Sequence, residues 1–215
     1  MIVCRLCLVA TLLVWPLAGQ PTSVPLNPPF GPANRLVSPN GAYALSGDAE
    51  NARLWLEDLH SQERRMVFRV TVQTLTMAWA PDSGAFLAND REFSDLEVAY
   101  VYDVKTLDRL DLRARIVAAD AGSARFFVPG QIAPARPAGP GEKVPAISYV
   151  HGIGWTDPRH VEVQLVGHTG GARRGTSLLP GDCFDLRYWI GRDGAVQKLS
   201  QRVFPIDDKT GCGEK

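Results

Sequence analysis

Beyond residue 19 the chain has no Cys-x-x-Cys pair, and nowhere does it carry His-Glu-x-x-His, Gly-x-Ser-x-Gly or Ser-x-x-Lys. Those spacings announce dithiol exchange, zinc proteolysis, the α/β-hydrolase nucleophile and Ser–Lys acyl transfer. A triad gathered from distant residues leaves no such trace, so the sequence nominates no nucleophile. Surplus charge is missing as well, because 23 Lys and Arg balance 23 Asp and Glu. No global field therefore draws the chain to nucleic acid or to an anionic membrane. No apolar run reaches the ~20 residues that span a bilayer.

What is present begins with a targeting signature. Arg5 gives a short positive end, Leu6 to Ala18 is apolar apart from Thr11, and Ala18 and Gly19 are small. This reads as a secretory signal peptide over residues 1–19. Its removal takes away Arg5, Cys4 and Cys7, leaving a net charge of −1 and two cysteines, Cys183 and Cys212. In an exported chain a single possible pair is read as a disulfide. It would pin the C-terminal segment to the body.

Residues 20–34 are too rich in proline for regular structure and read as an extended lead-in. A domain over 35–215 follows, and a phrase recurs in it. "RLVSPNGAYALSGD" and "MAWAPDSGAFLAND" both run from an apolar stretch through a Pro-Asn/Asp-Gly turn into a second apolar stretch, and "GIGWTDPRHVEVQLVG" is a degraded third copy. Proline presets the first turn angle, Asn or Asp bonds its own backbone, and glycine takes the left-handed position. Each copy leads into two further strand candidates joined by short polar turns: "ARLWLEDL" and "RRMVFRV", "LEVAYVYDV" and "RLDLRARIV", "CFDLRYWIG" and "AVQKLS". The alternation of Leu110, Leu112, Ala114 and Ile116 with charged residues predicts a half-buried strand. Pro39 and Pro81 lie 42 residues apart, the repeat length of a four-stranded propeller blade. Ala118 to Val128 is a candidate decayed fourth copy, and the Pro/Gly-rich stretch 129–145 reads as a long loop.

On these residues the chain resembles the repeats of bacterial periplasmic TolB-type, WD40-like β-propellers. Trp79, Pro81, Asp82, Gly84, Tyr102 and Asp103 match in the second unit. Pro39, Asn40, Gly41, Trp55 and Asp58 match in the first, and Trp155 and Asp157 in the third. The resemblance implies an all-β fold of propeller-like antiparallel blades, with three clear units and a possible degenerate fourth, hence an incomplete or small propeller. It is nearly silent on function.

Three further readings concern chemistry. His160 and His168, with Asp157, are candidate zinc ligands, and His151 lies in the same region. "GHTGGARRGTS" has the glycine spacing of a phosphate loop but lacks the lysine, so it reads as a mobile loop carrying Arg173 and Arg174. The turn aspartates read as local backbone acceptors. The sequence thus points to an exported, non-enzymatic binding or scaffold module of the cell envelope, without a cofactor, meeting a protein partner or a second copy. Its expected contact residues are Arg91, Glu92, Asp95, His168, Arg173 and Arg174, on polar interruptions beside good strands. The alternatives are a small hydrolase or metal-dependent enzyme using the histidine region, and an inhibitor or immunity-type protein.

Overall fold

The structure is a computed structural model, and it describes residues 24–25, 35–48, 53–69, 74–93, 96–126, 143–144, 147–169, 171–174, 177–179, 182–205 and 212. In chain order the elements are β1 (Val24–Pro25), β2 (Arg35–Val37), β3 (Tyr43–Asp48), β4 (Arg53–Asp58), β5 (Arg64–Arg69), β6 (Thr74–Trp79), β7 (Ala85–Phe93) and β8 (Leu96–Asp103). Next come β9 (Arg109–Asp111), α1 (Leu112–Ala119), a 3₁₀ turn (Ala121–Phe126), β10 (Lys143–Val144), β11 (Ile147–Trp155) and β12 (His160–His168). The last are β13 (Gly171–Arg174), β14 (Ser177–Leu179), β15 (Asp182–Gly191) and β16 (Val196–Pro205). The expected signal segment and most of the expected lead-in lie outside the described residues.

Three four-stranded antiparallel meanders make up the body, so the fold is all-β and propeller-like. The first is β2-β3-β4-β5. The second is β6-β7-β8-β9, and the third β11-β12-β15-β16 carries the hairpin β13-β14 as an insertion. A two-residue parallel contact, Ser148 with Leu96 and Tyr149 with Glu97, joins the second and third units into one curled sheet. β1 adds to the inner edge of β6, with Val24 opposite Met77.

Period-two alternation explains how the units stack. In the second unit Leu75, Met77, Trp79, Phe86, Ala88 and Tyr102 face the first unit. The intervening Ala78, Ala80, Ala85, Leu87, Ala99 and Val101 face the third. The first of these faces is large and fills its own interface. The second is mostly alanine, and the third unit fills it with Trp155, Phe184 and Tyr188. Two tryptophans repeat one hydrogen bond between successive units. Trp79 Nε1 donates to Leu36 O, and Trp155 Nε1 donates to Ala78 O, both at 3.0 Å.

The turns behave as their residues dictate, with one correction. Asp58, Asp103 and Asp157 each accept two backbone N–H groups from the turn that follows. Gly41 is left-handed, φ +71°, but in the second unit that role falls to Ser83, φ 60°, and not to Gly84. Ser83 Oγ accepts from Asn40 N of the first unit, so a contact between units holds the strained residue. Gly84 instead lies close against a neighbouring arginine. A Cβ there would lie 3.1 Å from Arg192 Nη1.

Several local expectations are overturned. The strand expected through Leu110–Ile116 ends at Asp111, and a helix begins. The Asp111 side chain accepts from Ala114 N as an N-cap, and Leu112 and Ile116, four apart, are buried together. An i, i+4 pair also satisfies a period of two, so alternation alone was ambiguous there. Most of the candidate fourth copy is the end of α1, a helix that packs beside β8, β9 and β16, and the 3₁₀ turn that follows it. The glycine-rich "loop" is strand β13, paired with β10 and β14. Lys143 and Val144 of the expected long loop are β10, and 129–142 lies outside the described residues. The disulfide is present between Cys183 and Cys212. Closing a loop of that length is worth roughly 3–4 kcal/mol in the loop-entropy model.

Candidate protein-binding surface

At the end of the stack where the Pro-Asp turns lie, Arg192 bridges the second and third units. Its guanidinium donates to Asp82 Oδ2 at 3.0 Å, Gly84 O at 3.0 Å and Asp103 Oδ2 at 3.3 Å. Burial acts to raise the Asp103 carboxyl, but the N–H groups of Thr106 and Lys105, with Arg192, outweigh it and hold its pKa below the ordinary value. Clefts of about 250 Å³ and 360 Å³ flank Arg192, the first lined also by Arg109 and Arg115, the second by Arg159 and His160. Because Arg192 already has three acceptors, it acts as a latch between units more than as a receptor for a ligand.

The sequence-predicted residues divide between the two ends of the sheet. His160 starts β12 at the turn end, where its Nδ1 lies 2.7 Å from Asp157 Oδ2. His168 closes the same strand at the far end, with Nδ1 3.2 Å from Thr169 O. Eight residue steps at ~3.3 Å put their Cα atoms about 26 Å apart. This corrects the expectation of a shared zinc ion: His160 and His168 cannot ligate one metal, and His151, mid-sheet on β11, is bonded to Glu97 instead. No group of three potential ligands occurs among the described residues. Arg91 also lies at the far end and places its guanidinium over the Tyr149 ring. Arg173 and Arg174 stand on β13, whose partner strand β10 is two residues long. Glu92 belongs to β7, and Asp95 lies outside the described residues.

One buried hydroxyl warrants a test as a nucleophile. Ser123 Oγ, fully buried, lies 2.6 Å from Asp120 Oδ2 and 2.6 Å from the Tyr188 hydroxyl. Lys198 Nζ is 2.5 Å from the same carboxylate oxygen. Lys198 first, then Ser123, bring the Asp120 pKa down to about 2, while burial pushes Tyr188 up to about 12. At neutral pH Asp120 is therefore a poor base and Tyr188 a proton donor. The network ties α1 and its 3₁₀ turn to the third unit. A carboxyl depressed in the folded state stabilises above its unfolded pKa of about 4, and that stabilisation is lost as pH falls toward about 2. Asp120→Asn should flatten the stability–pH curve between those limits, measured by urea denaturation at each pH. Parallel curves would assign the acid sensitivity elsewhere.

The outward face of the first unit was missed at the level of sequence. Register places Val37, Ala44, Glu57 and Arg64 in one cross-strand row, and Arg35, Ser46, Trp55 and Met66 in the next. Asp48, Arg53 and Arg69 form a further row. In the repeat Val37 occupies the position of Trp79, yet it is 48% exposed where Trp79 is 4%. Met66 is 50% exposed. Arg64 lies over the Trp55 ring, 5.0 Å from its centroid, and Glu57 pairs with both Arg35 and Arg64. The Trp55 Nε1–H is shielded from water and has no acceptor among the described residues. The alternating Arg-x-Trp-x-Glu of β4 and Arg-x-Met-x-x-Arg of β5 were the available signals, had the outward side been scored as well as the inward one.

No family model matches the chain, and no curated protein matches it. Among solved structures it is similar to a chain from Agrobacterium tumefaciens described as "putative TolB", at 11% identity and a TM-score of 0.31. The likeness covers 82% of this chain and 61% of that one, so this chain spans less than two thirds of its length. The resemblance is distant, and the fold stands on the pairings and packing given above.

Proposed function

We propose that this protein is an exported, non-enzymatic binding module of the bacterial cell envelope that engages another protein. One observation carries the reading: the second and third units each pack a tryptophan-bearing face onto the unit before, while the first unit leaves the corresponding face open. A disulfide supports export, since such bonds persist in oxidising compartments. The far end of the sheet, where Arg91 and His168 lie on β7 and β12, and the inserted strand β13 with Arg173 and Arg174 are the secondary contact region.

The test is a photo-reactive residue placed at Met66, and another at Gln197 on the third unit, in the tagged protein within its own envelope. One distinct protein captured from position 66 and absent from position 197 supports the proposal. Equal capture at both positions, or crosslinks only to the chain itself, would overturn it.

A further inference from the structure

Building on the binding-module reading, we infer that the outward face of the first unit docks an acidic, extended segment of another protein. Three observations point to the same occupant. Repeat geometry makes this the side on which a preceding unit would sit, yet Val37 replaces the tryptophan that would latch onto one. The centre of the face is apolar, with Met66 and Val37 exposed beside Trp55. An extended chain, with side chains alternating every second residue, matches the cross-strand rows in which this face sets its apolar and basic residues. Arginine, tryptophan and methionine together are also the composition of interface centres.

Charge selects the partner. Arg35, Arg53, Arg64 and Arg69 ring the centre against two acidic residues, Glu57 between Arg35 and Arg64 and Asp48 at the register position opposite Arg53, so among the described residues basic ones outnumber acidic ones on this face four to two. Among the described side chains, Arg53 and Arg69 have no hydrogen-bond or ion-pair partner. In a chain of zero net charge this local excess favours carboxylates on the incoming segment. It disfavours a second copy docked face to face, which would set the same guanidinium excess against itself. A segment alternating aliphatic and acidic residues fits: aliphatic groups against Trp55 and Met66, carboxylates at Arg53 and Arg69.

The experiment uses the mature chain, uniformly labelled with ¹⁵N, and a blocked heptapeptide of alternating Glu and Val, with a Lys/Val peptide as the opposite-charge probe. The Trp55 indole N–H resonance, assigned by its loss in Trp55→Phe, is followed on titration. We expect the Glu/Val peptide to move it, with binding weakened about tenfold or more in Arg53→Glu/Arg69→Glu and weakened by added salt. Both arginines are exposed, so this variant should keep the melting curve of the parent. An unmoved Trp55 resonance, or equal shifts from both peptides, would overturn the inference. So would a Trp55 shift that grows with protein concentration alone, since the occupant would then be a second copy. If position 66 captures an envelope protein but the peptides do not discriminate, the docking chemistry is wrong and the module reading stands. If the peptides discriminate but nothing is captured, the reverse holds.

Discussion

Replacing Trp79 by alanine should lower stability by about 3–5 kcal/mol, the usual range for removing a buried aromatic side chain. The indole stands edge-on to Phe86, with ring centroids 5.4 Å apart, and Phe86 stacks in turn on Tyr102. Its removal opens the cavity between the first and second units and leaves Leu36 O without its donor. For a domain of this size the melting temperature should fall by roughly 6–20 °C. Trp79→Phe separates the two contributions, since it retains most of the ring contact and loses the hydrogen bond, worth about 1 kcal/mol. Val37→Ala supplies the comparison. It removes a side chain at the same repeat position, but one facing solvent, and should shift stability by no more than about 0.5 kcal/mol. Thermal melts of the three variants decide the matter. An unchanged melt for Trp79→Ala would remove the repeat packing described here.

Asn89→Leu is the second large effect, expected to cost about 3–5 kcal/mol. Asn89 is buried on β7, where its Oδ1 accepts from Gly152 N at 2.7 Å and its Nδ2 donates to Gly152 O at 2.8 Å and to Thr76 Oγ1 at 3.0 Å. The β8–β11 pairing ends at Tyr149, so beyond it the side chain takes over the role of a strand partner. β11 also breaks register between Gly152 and Gly154 at this point. Leucine has nearly the same size but would leave two buried backbone groups of Gly152 unpaired, at roughly 1–3 kcal/mol each. Glycine is required at 152 because a Cβ would lie 2.5 Å from Leu87 Cδ1. Thr76→Val removes only the third bond and should cost about 1 kcal/mol. Urea denaturation of both variants is the measurement. Equal losses would show that the tie to Gly152 is not what holds the units together.

Much of the fold was legible because strands write themselves with period two and turns with proline, aspartate and glycine. Trp79, Trp155 and Tyr102, which the repeat pattern singles out, are each buried. The pairing of Cys183 with Cys212 was legible once residues 1–19 were read as a signal peptide, which left those two cysteines. Legibility failed where two periods coincide, as at Leu112 and Ile116, whose spacing suits a strand and a helix equally. It failed again at "GGARR", because glycine signals a loop until a neighbouring strand supplies hydrogen-bond partners.

The proposed surface was harder to read. Its arginines, Trp55 and Met66 are separated along the chain and meet only through the register of β2 to β5. Strand alternation shows that Trp55 and Arg53 share a side, but it cannot say whether that side is covered. The metal expectation failed for a related reason: His160 and His168 are close in number but stand at opposite ends of one extended strand.

By itself, then, the sequence determined the local order: strands, turns, the cysteine pair and the tryptophans that would be buried. These depend on side-chain chemistry over a few residues. Only the tertiary structure decided that the second and third units share a sheet, that Arg192 and Asn89 join them, and that the first unit ends the stack with an open face. Those outcomes depend on which residues distant in sequence come to lie side by side, a matter of register and packing between units.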